Sequence, residues 1–256
     1  MVSIKVELPK ELEQVKVHTF ADWHIGDAAC DMAKIKKQIE EVKEDPNAYC
    51  ILNGDLVNNA TKNSVSDCYS ATMSPMEQIE TLVEMLTPIK GKILAITTGN
   101  HERRTYKSDG IDIIKLVAQQ LKLTDRFSDT GAVLYLRFGW NAARKRKHWY
   151  SFYVAHGCGG GRKAGGKVNR LEDLVAIVDV DIYIHSHTHL PFVMKQAFYR
   201  SDPINSSVSL TDKLFVNTSA QLQYGGYGEI YQFRPASNDN PVIFLNGTKK
   251  EFSALL

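Results

Sequence analysis

The stretch Val15-Lys-Val-His-Thr-Phe-Ala21-Asp22-Trp23-His24-Ile25-Gly26 decides how this chain is read. Its first seven residues are a β-branched, apolar run, the composition of a buried strand, and the run breaks at a carboxylate and an imidazole one residue apart. Apolar residues then follow at helical spacing, Met32, Ile35, Ile39 and Val42, so a helix is expected over 28–44. This β-then-α unit recurs: a strand over 49–52 leads into Gly54-Asp55, a helix is expected over 76–89, and a strand over 93–97 leads into Gly99-Asn100-His101-Glu102. A further helix is expected over 111–121.

The second half is strand-rich, with strands expected over 133–138, 149–155, 182–184, 192–198, 214–216 and 230–233, one helix over 171–178, and surface loops over 201–212 and 235–241. Alternating units followed by strands predict an α/β fold of two mixed β-sheets packed face to face and flanked by helices. With 256 residues, 43% of them hydrophobic, the chain is expected to form a single domain over 1–256.

Chemistry-bearing side chains gather where the expected strands end: Asp22 and His24, Asp55, Asn100 and His101, His156, then His187 and His189. Loops leaving the carboxyl ends of strands converge in open α/β sheets, so these residues are expected to meet. Any one histidine alone reads equally well as an ordinary core or surface imidazole; jointly, in this order, they read as a dinuclear metal centre. Oxygen and nitrogen donors suit divalent Mn, Fe or Zn, with Mn placed first, whereas a structural zinc knot would use thiolates. Cys30, Cys50, Cys68 and Cys158 have no such spacing and are read as reduced thiols. Asp55 follows Gly54 and offers two oxygens, which suits a bridge between two ions; Asn100 adds a neutral oxygen.

In these residues the chain resembles the calcineurin-like metallophosphoesterase superfamily, whose pattern is Asp-x-His, Gly-Asp, Gly-Asn-His-Asp/Glu, His and Gly-His-x-His. Ser186 stands where that family usually has Gly. The resemblance implies an αββα sandwich, with Asp22, His24, Asp55 and His189 around one metal and Asp55, Asn100, His156 and His187 around the other. It further implies two-metal hydrolysis of a phosphoester, the cations activating a water and His101 protonating the leaving oxygen.

Protein phosphatases of the superfamily extend the second motif with arginine and precede the third with another; here those positions hold Asn58, Asn59, Ala60 and Thr98. Asp22-Trp-His24-Ile-Gly26 is instead similar to the opening of its DNA repair nucleases. Nuclease activity on a nucleic-acid phosphodiester is therefore expected, with phosphomonoesterase the alternative because Arg103 and Arg104 could grip a terminal phosphate. An inactive protein-binding scaffold is disfavoured because every ligand position is kept. The stretch after His189 is too short for the capping domain those nucleases carry.

Net charge is only +2, yet the chain has no Asp or Glu from Trp140 to Arg170. Arg144, Lys145, Arg146 and Lys147 read either as a solvated hairpin turn or as part of a DNA-attracting field around His156. The glycine-rich run from Gly161 to Lys167 lacks the Ser or Thr of a P-loop and is expected to be a mobile loop carrying Arg162 and Lys163 to a phosphate. Trp140, Trp149 and Tyr150 are possible base-stacking residues, and His185 a possible support for His187. No apolar run suits a membrane span or signal peptide, so a cytoplasmic protein without membrane contact is expected. No particular protein partner is indicated.

Overall fold

The computed structural model describes residues 1–62, 64 and 68–256, with the backbone alone at 226 and 227. In chain order the elements are β1 (Val2–Glu7), β2 (Gln14–Phe20), α1 (Met32–Glu44), β3 (Ala48–Asn53), α2 (Pro75–Leu86), β4 (Ile93–Thr97), α3 (Arg103–Asp109), α4 (Ile113–Leu121) and β5 (Phe127–Ser128). The second half comprises β6 (Ala132–Asn141), β7 (Arg146–Val154), α5 (Ala164–Glu172), β8 (Ile182–His185), β9 (Phe192–Asp202), β10 (Ser207–Asn217), α6 (Gly226–Ile230), β11 (Val242–Asn246) and β12 (Phe252–Leu255).

Two mixed six-stranded sheets result. One runs β12-β11-β2-β3-β4-β5, with β2 to β5 parallel, and the other runs β1-β6-β7-β8-β10-β9. Strand alternation assigns side chains to layers. In β3, Ile51 lies beside Val15 and Val17 of β2 on the face toward the opposing sheet, which contributes Leu134, Phe152 and Ile184 to the interface. Its neighbours Cys50 and Leu52 face Ile35, Ile39 and Val42 of α1 and Leu82 of α2. A smaller cluster of Val133, Tyr153, Leu171, Leu174 and Tyr183 seats α5 on the outside of the second sheet. The expected helix-flanked sandwich is the observed one.

Helix starts follow local capping chemistry. Asp31 accepts from the Lys34 amide at 3.0 Å, so α1 begins at Met32 and not at residue 28. Ser74 and Glu77 form a reciprocal cap ahead of Pro75 in α2.

Several expectations are corrected. The loop expected over 201–212 is largely strand, because β9 and β10 pair from Ser207↔Asp202 to Asn217↔Phe192 as a long hairpin. Residues 230–233 are not a strand but the end of α6 and a turn closed by Phe233 N donating to Gly228 O at 2.9 Å. The glycine run is not one loop, since Gly165, Gly166 and Lys167 lie inside α5, anchored by buried Leu171 and by Lys167 Nζ donating to Thr188 O at 2.6 Å. Among the described residues no helix is long and apolar enough to cross a membrane.

Candidate metal centre

Each ligand motif leaves the carboxyl end of a strand: β2 before Asp22, β3 before Asp55, β4 before Asn100, β7 before His156 and β8 before His187. Just past those ends the backbone enters the left-handed region at Asp22 (φ 52°), His24 (49°), Asp55 (51°), His187 (66°) and His189 (53°). For residues other than glycine this conformation costs roughly 1 kcal/mol or more each and is held only where its surroundings over-determine it. Asp22 N donates to Gly54 O and His24 N to Asp55 O, while Trp23 between them packs on Phe20 in the helix-side core. Alternation thus sends the intervening indole into the core and both ligand side chains to the cleft.

The candidate ligand atoms converge in overlapping groups, each within 4.8 Å: Asp22, His24 and His189; His24, Asp55 and His101; Asp55, His156 and His187. His189 Nε2 lies 3.2 Å from Asp22 Oδ1 and 3.4 Å from His24 Nε2. His156 Nε2 lies 3.2 Å from Asp55 Oδ2 and 3.3 Å from Asn100 Oδ1. His156 Nδ1 donates to Asn53 O at 2.7 Å, which fixes the tautomer and turns Nε2 to the centre. Among the described residues the buried Asp22 Oδ1 has only the His189 imidazole, 3.2 Å away, for a partner, and two imidazole nitrogens face each other beside it; both features suit a cation as the shared partner. The donor set, carboxylate, amide oxygen and imidazole, fits divalent Mn, Fe or Zn.

Charge is strongly organised here. Burial works against ionising Asp22 and Asp55, but the facing imidazoles of His189 and His156 hold both carboxyls below their ordinary range. Burial also works against charging His156, yet Asp55 and Asp22 bring it up to about 10. His24 and His187, buried and beside other imidazoles, are pushed down, His187 to about 4.

The supports beneath the cluster include one that sequence reading passed over. Glu102, 1% exposed, accepts from Gly99 N (2.9 Å), Asp55 N (3.0 Å), Leu56 N (2.6 Å) and Val57 N (3.3 Å), tying the loops after β3 and β4 together. Burial and the Asp55 charge push its carboxyl up to about 7, with the amides of Val57 and Asp55 pulling the other way. Its place in the Gly-Asn-His-Glu motif was visible; its task was not, because nothing in a sequence shows where four backbone amides will point. Gly99 is required by close approach, since a Cβ there would stand 2.1 Å from Asp55 Oδ1. Ser186 is accommodated: it is fully buried and its Oγ accepts from Asn53 Nδ2 at 2.7 Å. His185 donates from Nδ1 to Asn217 Oδ1 at 2.8 Å and so sits behind the cluster.

His101 lies at the seam of the groups. Its Nδ1 donates to Asn58 O at 2.9 Å, its Nε2 is 3.8 Å from Asp55 Oδ2, and its ring is 4.4 Å from that of His24. Arg104 Nη2 donates to His101 Nε2 at 2.9 Å, so Arg104 reaches the centre. Burial and Arg104 hold the imidazole below its ordinary value despite Asp55. Arg103 is not brought there, its guanidinium bonding the Asp129 carbonyl. Arg162 and Lys163 are exposed on the stretch between His156 and α5, Lys163 immediately ahead of that helix.

Arg144 to Lys147 are placed elsewhere. They occupy the β6–β7 turn and the start of β7, where Lys147 Nζ donates to Leu8 O, and eight residue steps of roughly 3.3 Å along β7 put Arg146 roughly 26 Å from Val154, away from His156. Trp140 and Trp149 sit toward that same end, and Tyr150 is core, its hydroxyl donating to Asn246 O. A cleft of about 680 Å³ lined by Phe198, Arg200, Lys213 and Phe252 lies away from the ligands, and its cations Lys195, Lys213 and Lys250 are paired with Asp212, Asp179 and Asp181.

The family model of calcineurin-like phosphoesterases matches residues 15–191. No curated protein matches the chain. Similar solved structures include a conserved uncharacterized protein of Streptococcus pneumoniae TIGR4 described as a predicted phosphoesterase, at 12% identity over 95% of this chain and 90% of that one, with a TM-score of 0.39. A metallophosphoesterase from Sphaerobacter thermophilus has 11% identity over 94% and 89%, with a TM-score of 0.42. A single mutant of Vps29 from Entamoeba histolytica has 11% identity over 94% and 100%, with a TM-score of 0.39. Because the matched span holds every residue of the cluster, from Asp22 to His189, this chain belongs to the calcineurin-like phosphoesterase family.

Proposed function

We propose that this chain is a metal-dependent phosphodiesterase acting on nucleic acid, with phosphomonoester hydrolysis as the second reading. The observation that carries it is the setting of His101, an imidazole fixed through Nδ1 on a backbone carbonyl and presented by Nε2 among the ligand groups. Asp22, His24, Asp55 and His189 would hold one divalent ion, Mn first and Fe or Zn next, and Asp55, Asn100, His156 and His187 a second. Such a pair supplies Lewis acidity and an activated water.

His101 is the general acid in this reading. While Arg104 donates to its Nε2, the imidazole is neutral; once that contact opens, Nε2 takes a proton from solvent and then passes it to the leaving oxygen. Arg104 then remains beside the phosphoryl group as its guanidinium partner.

The diester choice follows from charge and from what surrounds His101. A monoester dianion wants several fixed cations, a diester monoanion fewer. At the positions where a phosphatase would place arginines, Asn59 is committed to structure: its Nδ2 donates to His101 O at 2.8 Å and its Oδ1 accepts from Thr105 Oγ1 at 2.9 Å. Arg162 and Lys163 add exposed positive charge between His156 and α5, which favours a polyanion. With Mn²⁺ supplied, hydrolysis of an aryl phosphate diester and of single-stranded DNA above that of the aryl monoester is the expected result. Monoester turnover with no DNA cleavage would transfer the assignment to the phosphatase reading.

A further inference from the structure

The chain leaves the ligand cluster by a second route that ends in exposed aromatic rings. Thr218 Oγ1 donates to Asp22 Oδ2 at 3.4 Å and Gln221 N to Asp22 O at 3.0 Å, so residues 218–221 run against the centre. Tyr224 follows three residues later, within roughly 16 Å of Asp22 by the hydrogen-bonded step to Gln221 and the reach of an extended chain. Its hydroxyl donates to Phe233 O at 3.0 Å, closing the 224–233 segment on itself. From the other side, Arg162 stands six positions beyond His156, with Cζ 5.8 Å over the Phe233 ring and Nη2 donating to Tyr231 O at 3.2 Å. Two segments that both start at the candidate ligands thus meet in rings capped by a guanidinium.

Tyr224 is 55% exposed, Tyr231 49% and Phe233 39%, on segments that leave the ligand cluster. Partly exposed rings gathered in this way offer a ligand surface. A flat π-system is the chemistry that fits ring and guanidinium together, and Lys163 and Arg170 bring positive charge to the stretch that follows Arg162. We propose that Tyr224, Phe233 and Arg162 form a stacking platform for a nucleobase flanking the scissile phosphate, which makes the substrate a single-stranded nucleic acid. A duplex keeps its bases stacked on one another and offers the platform no free face. This inference rests on the phosphodiesterase reading, and it replaces Trp140, Trp149 and Tyr150 as the stacking residues.

The test compares a fluorescent oligothymidylate with an abasic oligomer of equal length, measuring Kd by anisotropy and cleavage by gel on the Mn²⁺-loaded full chain. The wild type is expected to prefer the base-bearing strand, and Tyr224→Ala to lower that preference, the ratio of the two Kd values, roughly tenfold. Tyr224→Phe, which keeps the ring, is expected to retain it. Should Tyr224→Ala unfold by circular dichroism, Arg162→Ala, on an exposed loop, is expected to lower the ratio in the same direction. An equal Kd for the two strands in the wild type, or a ratio unmoved by Tyr224→Ala and Arg162→Ala, overturns the platform while diester cleavage leaves the enzymatic reading standing. Failure to hydrolyse any diester overturns that reading instead, and the ratio of affinities then judges the platform on binding alone.

Discussion

Replacing Glu102 by Gln changes one oxygen to an amide group at constant shape. Each carboxylate oxygen of Glu102 now accepts two backbone amides: Oε1 those of Leu56 and Val57, Oε2 those of Asp55 and Gly99. Whichever way the glutamine is turned, its NH₂ faces two buried donors that lose their acceptor. An unsatisfied buried donor costs roughly 1–3 kcal/mol, so Glu102→Gln, which leaves two, is expected to lose about 2–6 kcal/mol of stability. The loops it ties carry Asp55 and Asn100, so affinity for added Mn²⁺ should fall with it. Urea unfolding followed by tryptophan fluorescence, at pH 8 where a carboxyl near 7 is mostly ionised, measures the first; calorimetric titration with Mn²⁺ measures the second. A variant within about 0.5 kcal/mol of the wild type, with unchanged metal affinity, would refute the reasoning, since it would mean that a protonated carboxyl already stands in that place.

Three further outcomes are expected. His101→Ala should keep its metal content by elemental analysis but lose most turnover on an alkyl diester, with a smaller loss on a nitrophenyl ester whose leaving group needs little protonation; an unchanged alkyl rate would remove the acid role. Gly99→Ala puts a methyl 2.1 Å from Asp55 Oδ1 and should displace that carboxylate, so full metal stoichiometry in the variant would contradict the packing argument. Burial lowers His18 from its ordinary 6.5 to about 4, only partly offset by Asp45, so the fold holds it neutral and its share of stability is complete above about pH 6.5. That share is lost as pH falls toward 4, by about 3 kcal/mol, and His18→Gln should shrink the difference between unfolding free energies at pH 7.5 and 4.5; an equal difference would rule the imidazole out as a source of acid sensitivity.

What the sequence reveals divides along physical lines. β3 and β4 are largely buried on both faces and β2 alternates Val15, Val17 and Phe20 with polar residues before Ala21, so the polar residues that end these strands are conspicuous. That is why Asp22, Asp55 and Asn100 could be placed before any coordinates. The outer parts of β9 and β10 are solvent-exposed and rich in Ser, Thr and Asp, with only a short alternation at Val208 and Leu210, and so read as a loop. β1 and β12 are short edge strands whose pairing comes from distant partners, β6 and β11. α3 has no buried residue and hence no periodic stripe. Charge is ambiguous in sequence: Arg144 to Lys147 precede His156 by nine to twelve positions, and most of β7 separates them from it. The supports of the cluster, Glu102, Asn53 and Ser186, act through backbone groups of other elements, which residue identity alone does not display.

Anomalous diffraction from crystals soaked in Mn²⁺ tests the central claim most directly. Two peaks are expected, one among Asp22, His24 and His189, the other among Asn100, His156 and His187, with Asp55 reaching both. A single peak, or manganese bound away from these side chains, would contradict it.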